Sequence, residues 1–348
     1  MDKVNQQLLL SDFDYDLPKE LIAQTPLLKR DESKLLVVNR NDHSLTDKKF
    51  YDVLDILQPG DILVRNNSKV LPARLFGYKK ETKAHIELLL LKQLQGDTWE
   101  CLIKGAKKVS NGTKLIFDEN LLHAEVVEKF NEGLCHIHFE YDGIFNEILD
   151  KLGTMPLPPY IKEKLADQGR YQTVYAKVEG SAAAPTAGLH FTPELLSKLE
   201  EKGVKILDVT LHVGLGTFRP VEEDNVLDHK MHEEFYVLSD DVAKELNKAK
   251  QENRRIISVG TTSLRTLETV YKKFGCFKAD AGNTNIFIYP GIPVESISGI
   301  ITNFHLPKST LVMLVSAIAS KEFIFEAYKH AIENNYRFFS FGDAMIIL

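Results

Sequence analysis

Apolar residues occur along this chain in short runs, and the spacing of the runs changes near residues 70 and 150. In the first stretch, Leu35–Val38 is an apolar run bounded by polar residues, which predicts a strand. Asp52–Leu57 predicts a short helix that ends at Pro59–Gly60, and a second strand begins just after it. The first 60 residues therefore predict a mixture of short helices and strands.

Between about Val70 and Phe139, apolar runs of strand length recur at regular spacing, with turn residues such as Asn111–Gly112 between them. The five predicted strands cover 86–91, 99–103, 114–117, 124–127 and 135–139. Several short strands at such spacing are typical of a small antiparallel barrel or sandwich. A helix is predicted over 143–152. Three closely spaced prolines after it predict a stiff, extended connection back to the main part of the chain.

From Thr192 onward, predicted strands and helices alternate. Thr192 at the N-cap, Pro193 at the first helical position and Gly203 after the end predict one helix. Further helices are predicted over 239–253, from about 263, from 309 and over 323–334, and strands over 204–214, 254–260, 284–289 and 299–306. The pattern predicts an α/β main domain with a mixed sheet (1–69 and 152–348), interrupted by an inserted small antiparallel β-barrel domain (70–151).

Composition excludes several classes of protein. With 348 residues, 44% of them hydrophobic and 26% charged, the chain can bury a core and is not disordered. Three cysteines far apart predict reduced thiols without a disulfide framework. The apolar run Leu311–Ala319 is short against the roughly 20 residues of a membrane span, and no signal peptide is evident. We therefore expect a cytoplasmic protein that does not enter a membrane.

Charge is distributed unevenly along the chain. Val64–Leu115 contains 11 Lys and Arg against four Asp and Glu, whereas the whole chain has a net charge of −6. A basic module on an acidic body is typical of a surface that binds a polyanion, although a merely solvated face has the same composition. The basic segment overlaps the predicted barrel, which favours a separate module.

Candidate chemistry lies where predicted strands end and helices begin. Small, hydroxyl, histidine and cationic residues are combined in 180–192, 210–221, 228–234, 259–268 and 302–310. Glycine lets a ligand approach the backbone, and helix starts offer free N–H groups; packed loops and helix caps are the alternative. Gly214–Leu215–Gly216 lacks the rest of a dinucleotide fingerprint. His229 and His232 lack an evident third ligand, so no metal site is predicted.

The same segments resemble the S-adenosylmethionine:tRNA ribosyltransferase-isomerase family of queuosine biosynthesis. The matching stretches are DFDYDLPKELIAQTP, GDILVRNNSKVLPARLFG, MPLPPYI, RYQTVYA, GSAAAPTAGLHFT, TLHVGLGTFRPV, HKMHEE, VGTTSLRTLE, TNFHLPKSTLVMLVSA and YRFFSFGDAMI. They run in order from Asp12 to Ile346, and the resemblance is weakest in the barrel segment. Residues 66–69, Asn-Asn-Ser-Lys, replace a family pattern of roughly Asn-Asp-Thr-Arg.

The resemblance implies a reaction. The ribosyl unit of S-adenosylmethionine is transferred to 7-aminomethyl-7-deazaguanine at the wobble position of a tRNA and isomerised, giving epoxyqueuosine-tRNA, adenine and methionine. S-adenosylmethionine is then a consumed co-substrate, with no permanently bound cofactor and no metal. The expected partners are S-adenosylmethionine and the precursor-modified tRNA, and the expected state is a monomer.

This chemistry needs a general base, a general acid and binding groups for the two substrates. Histidine is best matched to proton transfer near neutral pH, so the catalytic candidates are His190, His212 and His305. Which is base and which is acid stays open, and we expect at least one to be structural. The substrate-binding candidates are Thr186, Gly188, Gly214, Gly216, Arg219, Thr261, Thr262, Arg265 and Lys308. The tRNA-binding candidates in the barrel are Lys79, Lys80, Lys107 and Lys108.

Three other functions compete with this interpretation. An S-adenosylmethionine-dependent RNA methyltransferase would need a glycine-rich loop after an early strand, and none of the usual form is present. A non-enzymatic RNA-binding protein would use the basic segment alone. A metallohydrolase would use His229 and His232 and would be sensitive to chelators.

Overall fold

The computed structural model describes residues 8–163, 165–214, 221 and 223–348, and the chain divides into two compact units. The main unit consists of Met1–Ser68, Pro159–Lys177 and Pro185–Leu348, and the barrel unit of Lys69–Pro158 and Val178–Ala184. The first is an α/β unit with a mixed sheet and the second contains a closed antiparallel barrel. The fold class predicted from the sequence is therefore confirmed.

The described residues form strands and helices that we number in chain order. The strands are β1 (Lys34–Asn39), β2 (Ser44–Lys49), β3 (Ile62–Asn66), β4 (Ser68–Val70), β5 (Arg74–Lys79), β6 (His85–Gln93), β7 (Thr98–Lys104), β8 (Lys114–Asp118), β9 (Leu122–Lys129), β10 (Leu134–Glu140), β11 (Val178–Ser181), β12 (Lys205–Leu211), β13 (Glu234–Leu238), β14 (Ile256–Val259), β15 (Asp280–Thr284), β16 (Gly299–Asn303) and β17 (Ala344–Ile347). The helices are α1 (Val53–Ile56), α2 (Phe145–Leu152), α3 (Pro193–Glu201), α4 (Asp240–Gln251), α5 (Gly260–Phe274), α6 (Thr310–Ala319) and α7 (Lys321–Glu333). Within the described ranges, no helix combines the length and the apolar character that crossing a membrane requires.

The sheet of the main unit has nine strands in the order β15-β13-β12-β3-β14-β16-β17-β1-β2. The central strands β12, β3, β14 and β16 are parallel neighbours. They are covered on both faces, which explains their continuous apolar runs. Adjacent residues of β16 illustrate this: Ile300 packs in the core that contains α6 and α7, whereas Ile301 packs in the core that contains α3.

The carboxyl ends of β12, β3, β14 and β16 meet at one edge of the sheet, which we call the carboxyl edge (residues 66–67, 211–214, 260–262 and 303–305). With strands about 4.8 Å apart, these four ends span about 15 Å. Three of the segments selected for their chemistry begin here. Ligands of open α/β sheets bind at this edge, so the topology brings together segments that are distant in sequence.

The opposite ends of the same strands carry an ion pair with a structural role. Asp61, which precedes β3 and is 4% exposed, accepts hydrogen bonds from Arg255 Nε at 2.9 Å and NH2 at 2.5 Å. Its second oxygen also accepts the backbone N–H of Gln58 at 2.7 Å. Because Arg255 directly precedes β14, the pair fixes the starts of two adjacent strands.

The barrel unit contains six strands in the closed order β10-β7-β6-β5-β8-β9. The five strands predicted from apolar runs are present, and their inward side chains, such as Leu88, Cys101 and Ile137, are fully buried. The sixth strand, β5, was not predicted because its sequence RLFGYK has no clean alternation. Gly77 allows its close approach to β8, since a side chain there would overlap the backbone carbonyl of Ile116.

Two predicted elements of the main unit differ from the structure. Thr284–Tyr289 was predicted as a strand, but the strand is β15, which pairs with β13 through Asp280–Thr284. The apolar run after it packs into the core as irregular chain, with Ile288 1% exposed. Helix α5 begins at Gly260 rather than near Ser263, because Gly260 adopts a φ of +82° that lets β14 turn directly into the helix.

Candidate active site

Glu234 connects two predicted binding residues at the carboxyl edge. The backbone N–H of Gly214 donates to Glu234 Oε1 at 2.9 Å, and the Arg265 guanidinium forms an ion pair with Oε2. Arg265 and Glu234 are each 4% exposed. Among the described residues, Nε and NH2 of Arg265 have no hydrogen-bond partner. The ion pair therefore holds a guanidinium that still has donors to offer to a ligand.

His212 follows β12 and is the least buried of the three candidate histidines. Its backbone N–H donates to the carbonyl of Phe235 at 2.9 Å, and its ring stacks on Phe235 with centroids 6.1 Å apart. Within the part of the chain described, Nδ1 has no hydrogen-bond partner. Burial lowers the pKa of His212, so the imidazole is neutral at neutral pH. A neutral ring with an unengaged nitrogen is the chemical form of a general base.

The turn from β14 into α5 places two predicted threonines at the carboxyl edge. Thr261 and Thr262 occupy the first turn of α5 and are 8% and 9% exposed. The Thr262 hydroxyl has no hydrogen-bond partner among the described residues, whereas that of Ser263 donates to the carbonyl of Val259 at 2.9 Å. The first turn of a helix also offers free backbone N–H groups. The position suits a ligand hydroxyl or an anion.

His190 is held in one tautomer by a hydrogen-bonded chain. The Thr186 hydroxyl donates to Asn303 Oδ1 at 3.0 Å, and Asn303 Nδ2 donates to His190 Nε2 at 3.1 Å. Nε2 therefore accepts, and Nδ1 carries the proton and donates to Ser33 Oγ at 2.8 Å. The ring stacks on Phe50 at 4.8 Å. Burial lowers the pKa of His190 from 6.5 to about 3, so it is neutral.

His305 is enclosed by hydrogen bonds of a different kind. Its Nε2 lies 2.9 Å from the Thr302 hydroxyl, and its backbone N–H donates to the Tyr328 hydroxyl at 2.9 Å. The Tyr15 hydroxyl donates to its carbonyl. Burial lowers the pKa of His305 to about 3. These contacts tie β16 to α7 and give His305 a structural environment.

The remaining predicted binding residues have individual environments. A side chain at Gly188 would overlap the Tyr175 hydroxyl, so this glycine serves close packing. Lys308, at a φ of +57°, forms an ion pair with Asp14 at 2.7 Å. The predicted Gly216 and Arg219 lie outside the described residues.

The acidic and histidine-rich segment 228–234 makes contacts with neighbouring residues at both of its ends. His229 Nδ1 lies 2.9 Å from Glu223 Oε2, and Glu234 forms the contacts with Gly214 and Arg265. In the described part of the chain, no group of three or more His, Cys, Asp or Glu side chains is placed to hold a metal ion.

The four predicted tRNA-binding lysines occupy two loops of the barrel unit that approach each other. Lys79 Nζ donates to the carbonyl of Lys108 at 2.8 Å, which links the end of β5 to the turn after β7. Lys80, Lys107 and Lys108 are exposed. None of the four forms an ion pair with another described residue. Their charges are thus available to a polyanion.

Three residues that contact the predicted site were not selected from the sequence: Ser33, Asn303 and Glu234. Glu234 lay in a segment selected for its histidines. Asn303 lay in the segment TNFHLPKST, but its role becomes clear only from its hydrogen bonds to Thr186 and His190 in the structure. Ser33 stands in an irregular segment before β1, where no periodic signal exists.

The two buried neutral histidines predict a loss of stability in acid. Unfolded histidine titrates near 6.5, whereas His190 and His305 titrate near 3 in the folded chain. The unfolded state therefore binds more protons as the pH falls from 6.5 towards 3, and stability is lost over that range. Well below pH 6.5, each histidine contributes about 1.4 kcal/mol per pH unit. Urea unfolding at pH 7 and pH 5 measures the fall.

A His305→Gln variant provides the check on this prediction. It removes one of the two titrations, so the decrease in unfolding free energy between pH 7 and pH 5 should shrink by about 2 kcal/mol. His330→Gln changes a half-buried histidine that lies 3.0 Å from Asp47 on the surface and serves as the control. An equal decrease in the wild type and in His305→Gln would contradict the assignment.

Comparison with known proteins shows a matching family and a similar solved structure. A sequence model of the family described as "Queuosine biosynthesis protein" matches residues 10–347. The chain is also similar to a solved structure, an S-adenosylmethionine tRNA ribosyltransferase from Thermotoga maritima, at 38% sequence identity and a TM-score of 0.57. This match covers 97% of the chain described here and 100% of the other.

Proposed function

The chain belongs to the family of queuosine biosynthesis proteins, and from that membership we propose that it is an S-adenosylmethionine:tRNA ribosyltransferase-isomerase. It transfers the ribosyl unit of S-adenosylmethionine to 7-aminomethyl-7-deazaguanine at the tRNA wobble position. Isomerisation gives epoxyqueuosine-tRNA, adenine and methionine. The observation that carries the proposal is 38% identity across 97% of the chain to a ribosyltransferase that uses the same co-substrate.

The first chemical step is proton removal from the ribose carbon beside the sulfonium. The positive sulfur acidifies this carbon, and the resulting carbanion drives ring opening and adenine loss. We assign the base role to His212, because burial lowers the pKa of its ring and Nδ1 has no partner among the described residues. A neutral imidazole accepts the proton and becomes an imidazolium next to Phe235.

His190 and His305 receive other roles in this proposal. His305 is a structural residue, because its ring and backbone are engaged within the fold. His190 is a positioning residue, since its Nε2 and Nδ1 are both used by Asn303 and Ser33. Neither is protonated at neutral pH, because the pKa of each is near 3. Protonation of the departing adenine therefore comes from another group or from water.

Binding of S-adenosylmethionine is assigned to the carboxyl edge. Arg265 offers N–H donors to an anionic group, and Thr261 and Thr262 offer hydroxyls and helix N–H groups to ribose oxygens. Gly214 and Thr186 are linked to the same edge by hydrogen bonds, Gly214 to Glu234 and Thr186 to Asn303. The proposal extends to Gly216, Arg219 and Lys308 as further binding residues, whereas Gly188 is assigned to packing against Tyr175.

The barrel unit is assigned to the tRNA. Lys79, Lys80, Lys107 and Lys108 form a cationic surface without carboxylate partners among the described residues, which suits contacts to phosphates. The target base lies in an anticodon loop, where a base can turn out without the melting of a duplex.

S-adenosylmethionine is consumed, and we propose that no further cofactor or metal takes part. We propose a monomer that works in the cytoplasm. Cys101 and Cys135 are opposite each other in the pairing of β7 with β10 and are both free thiols, which agrees with a reducing compartment. Light scattering after gel filtration measures the oligomeric state.

The decisive experiment incubates the purified protein with S-adenosylmethionine and precursor-modified tRNA. Free adenine and epoxyqueuosine-tRNA are the expected products. S-adenosylmethionine labelled on its methyl group separates this reaction from the rival methyltransferase, because the label stays with methionine here and would join the RNA there. Labelled RNA without adenine release would overturn the proposal.

A further inference from the structure

A pocket in the main unit is lined in part by His190, and none of the described residues assigned above to substrate binding lines it. It is small, with a water-accessible volume of about 20 Å³. Its polar lining consists of Arg30, Arg170, Ser33, His190 and Ser340, and we call it the arginine pocket. Ser33 and His190 are hydrogen-bonded to each other within this lining, at 2.8 Å. Through His190, the pocket is therefore connected to Asn303 and the carboxyl edge by hydrogen bonds.

The two arginines are held by backbone carbonyls. Arg30 NH1 donates to the carbonyl of Gln172 at 2.8 Å, and its NH2 donates to the carbonyl of Gly169 at 3.2 Å. Arg170 NH2 donates to the carbonyl of Leu27 at 2.5 Å. Carbonyls rather than ion pairs fix the two guanidinium planes, although the charge of Asp167 acts favourably on Arg30.

No described carboxylate lies within ion-pair distance of either guanidinium. Two other cations of the main unit do have a carboxylate partner. Arg265 pairs with Glu234, and Lys308 pairs with Asp14 at 2.7 Å. The two partly buried guanidiniums that face the pocket therefore leave an excess of positive charge there.

The charges also affect one another and their surroundings. Burial and the nearby Arg170 lower the pKa of Arg30. Besides burial, the charges of Arg337 and Arg30 contribute to the low pKa of His190. The Nε of Arg170 is buried and has no hydrogen-bond partner among the described residues. An anion in the pocket would offset the repulsion between the two guanidinium charges.

We propose that the arginine pocket is an oxyanion subsite, in which Arg30 and Arg170 hold a carboxylate or phosphate group of a substrate. The inference rests on the proposed function for the identity of that substrate. Two sources of an oxyanion take part in the reaction: the methionine carboxylate of S-adenosylmethionine and a phosphodiester of the tRNA. The planar donor array of arginine suits both groups.

The first test uses inorganic phosphate as the probe and needs no enzymatic activity. The melting temperature of the wild type should rise by a few degrees in saturating phosphate, compared with chloride at equal ionic strength. Arg170→Gln should abolish this rise. Arg170→Lys keeps the positive charge but loses the planar arrangement of guanidinium donors, so phosphate should raise its melting temperature by less than that of the wild type. This variant keeps the test informative if Arg170→Gln does not fold.

Arg40→Gln is the matched control. Arg40 also donates to backbone carbonyls, at 2.6 Å to Ser298, and has a buried Nε without a partner among the described residues, but it does not line the pocket. The phosphate effect should persist in this variant. An equal phosphate effect in the wild type and both Arg170 variants, or no effect in the wild type, would overturn the proposal.

The second test identifies the source of the oxyanion through dissociation constants. If the pocket takes the carboxylate, Arg170→Gln weakens S-adenosylmethionine binding by about tenfold or more and leaves tRNA binding unchanged. If it takes a phosphate, tRNA binding weakens and its salt dependence decreases by about one phosphate contact. Unchanged affinity for both substrates would refute a substrate subsite. Adenine release by the wild type tests the proposed function separately.

Discussion

His212→Ala is expected to slow adenine release by about 10²–10⁴-fold, the usual contribution of a positioned general base. The affinity for S-adenosylmethionine should change little, because the proposed role is proton removal rather than binding. The urea unfolding midpoint should fall only moderately, because the change removes the stacking of the ring on Phe235 but no hydrogen bond of Nδ1 to a described residue. Single-turnover adenine release, measured beside the dissociation constant, separates the two effects.

The pH profile provides a second readout for His212. A base acts in its deprotonated form, and burial lowers the pKa of His212 below its usual 6.5. The acid limb of kcat/KM should therefore lie below pH 6.5, with activity lost as the pH falls through the lowered pKa. His330→Ala, a change at the surface pair with Asp47, is the control and should keep the wild-type rate and profile. A wild-type rate for His212→Ala would remove it from the mechanism.

Replacement of Lys79, Lys80, Lys107 and Lys108 by glutamate together is expected to weaken tRNA binding by at least about 100-fold at low salt. Each lysine that contacts a phosphate releases a counterion on binding, so the slope of log affinity against log salt should decrease by about 3 for four lost contacts. Filter binding or fluorescence anisotropy at several salt concentrations measures both quantities. The affinity for S-adenosylmethionine should be unchanged.

A matched variant separates local contacts from total charge. Lys48, Lys198, Lys248 and Lys329 are exposed lysines of the main unit, and their replacement by glutamate changes the net charge by the same amount. This control should reduce tRNA affinity far less, because the screening length at physiological salt is about 8 Å. Equal losses in the two variants would mean that the barrel surface has no special part in tRNA binding.

The sequence predicted the carboxyl edge better than it predicted single elements. His212, Thr261 and His305 stand within two residues of the ends of β12, β14 and β16, which belong to a run of four parallel strands, so recognition of the strand ends was enough to place them at one edge. The strand over 284–289 was predicted wrongly because apolar character measures burial, whereas a strand requires a hydrogen-bonding neighbour. The polar segment Asp280–Thr284 has that neighbour in β13.

The arginine pocket could not be predicted from local pattern. Arg30 and Arg170 lie in short irregular turns far apart in sequence, and neither position shows apolar periodicity. Likewise, the tautomer of His190 depends on Asn303, which is 113 residues away. Such roles follow from tertiary contacts, and only a three-dimensional arrangement shows whether an arginine has a carboxylate beside it.

The Asp61–Arg255 pair lies at the amino ends of the strands whose carboxyl ends carry the proposed chemistry. Across the five residues of β3, the two ends are about 16 Å apart, which exceeds the screening length at physiological salt. Changes that strengthen the amino ends would therefore leave the electrostatics of the reacting groups nearly untouched. Substitutions at the amino ends of these strands could therefore raise or lower the melting temperature, in engineering or in evolution, without a change in the catalytic rate.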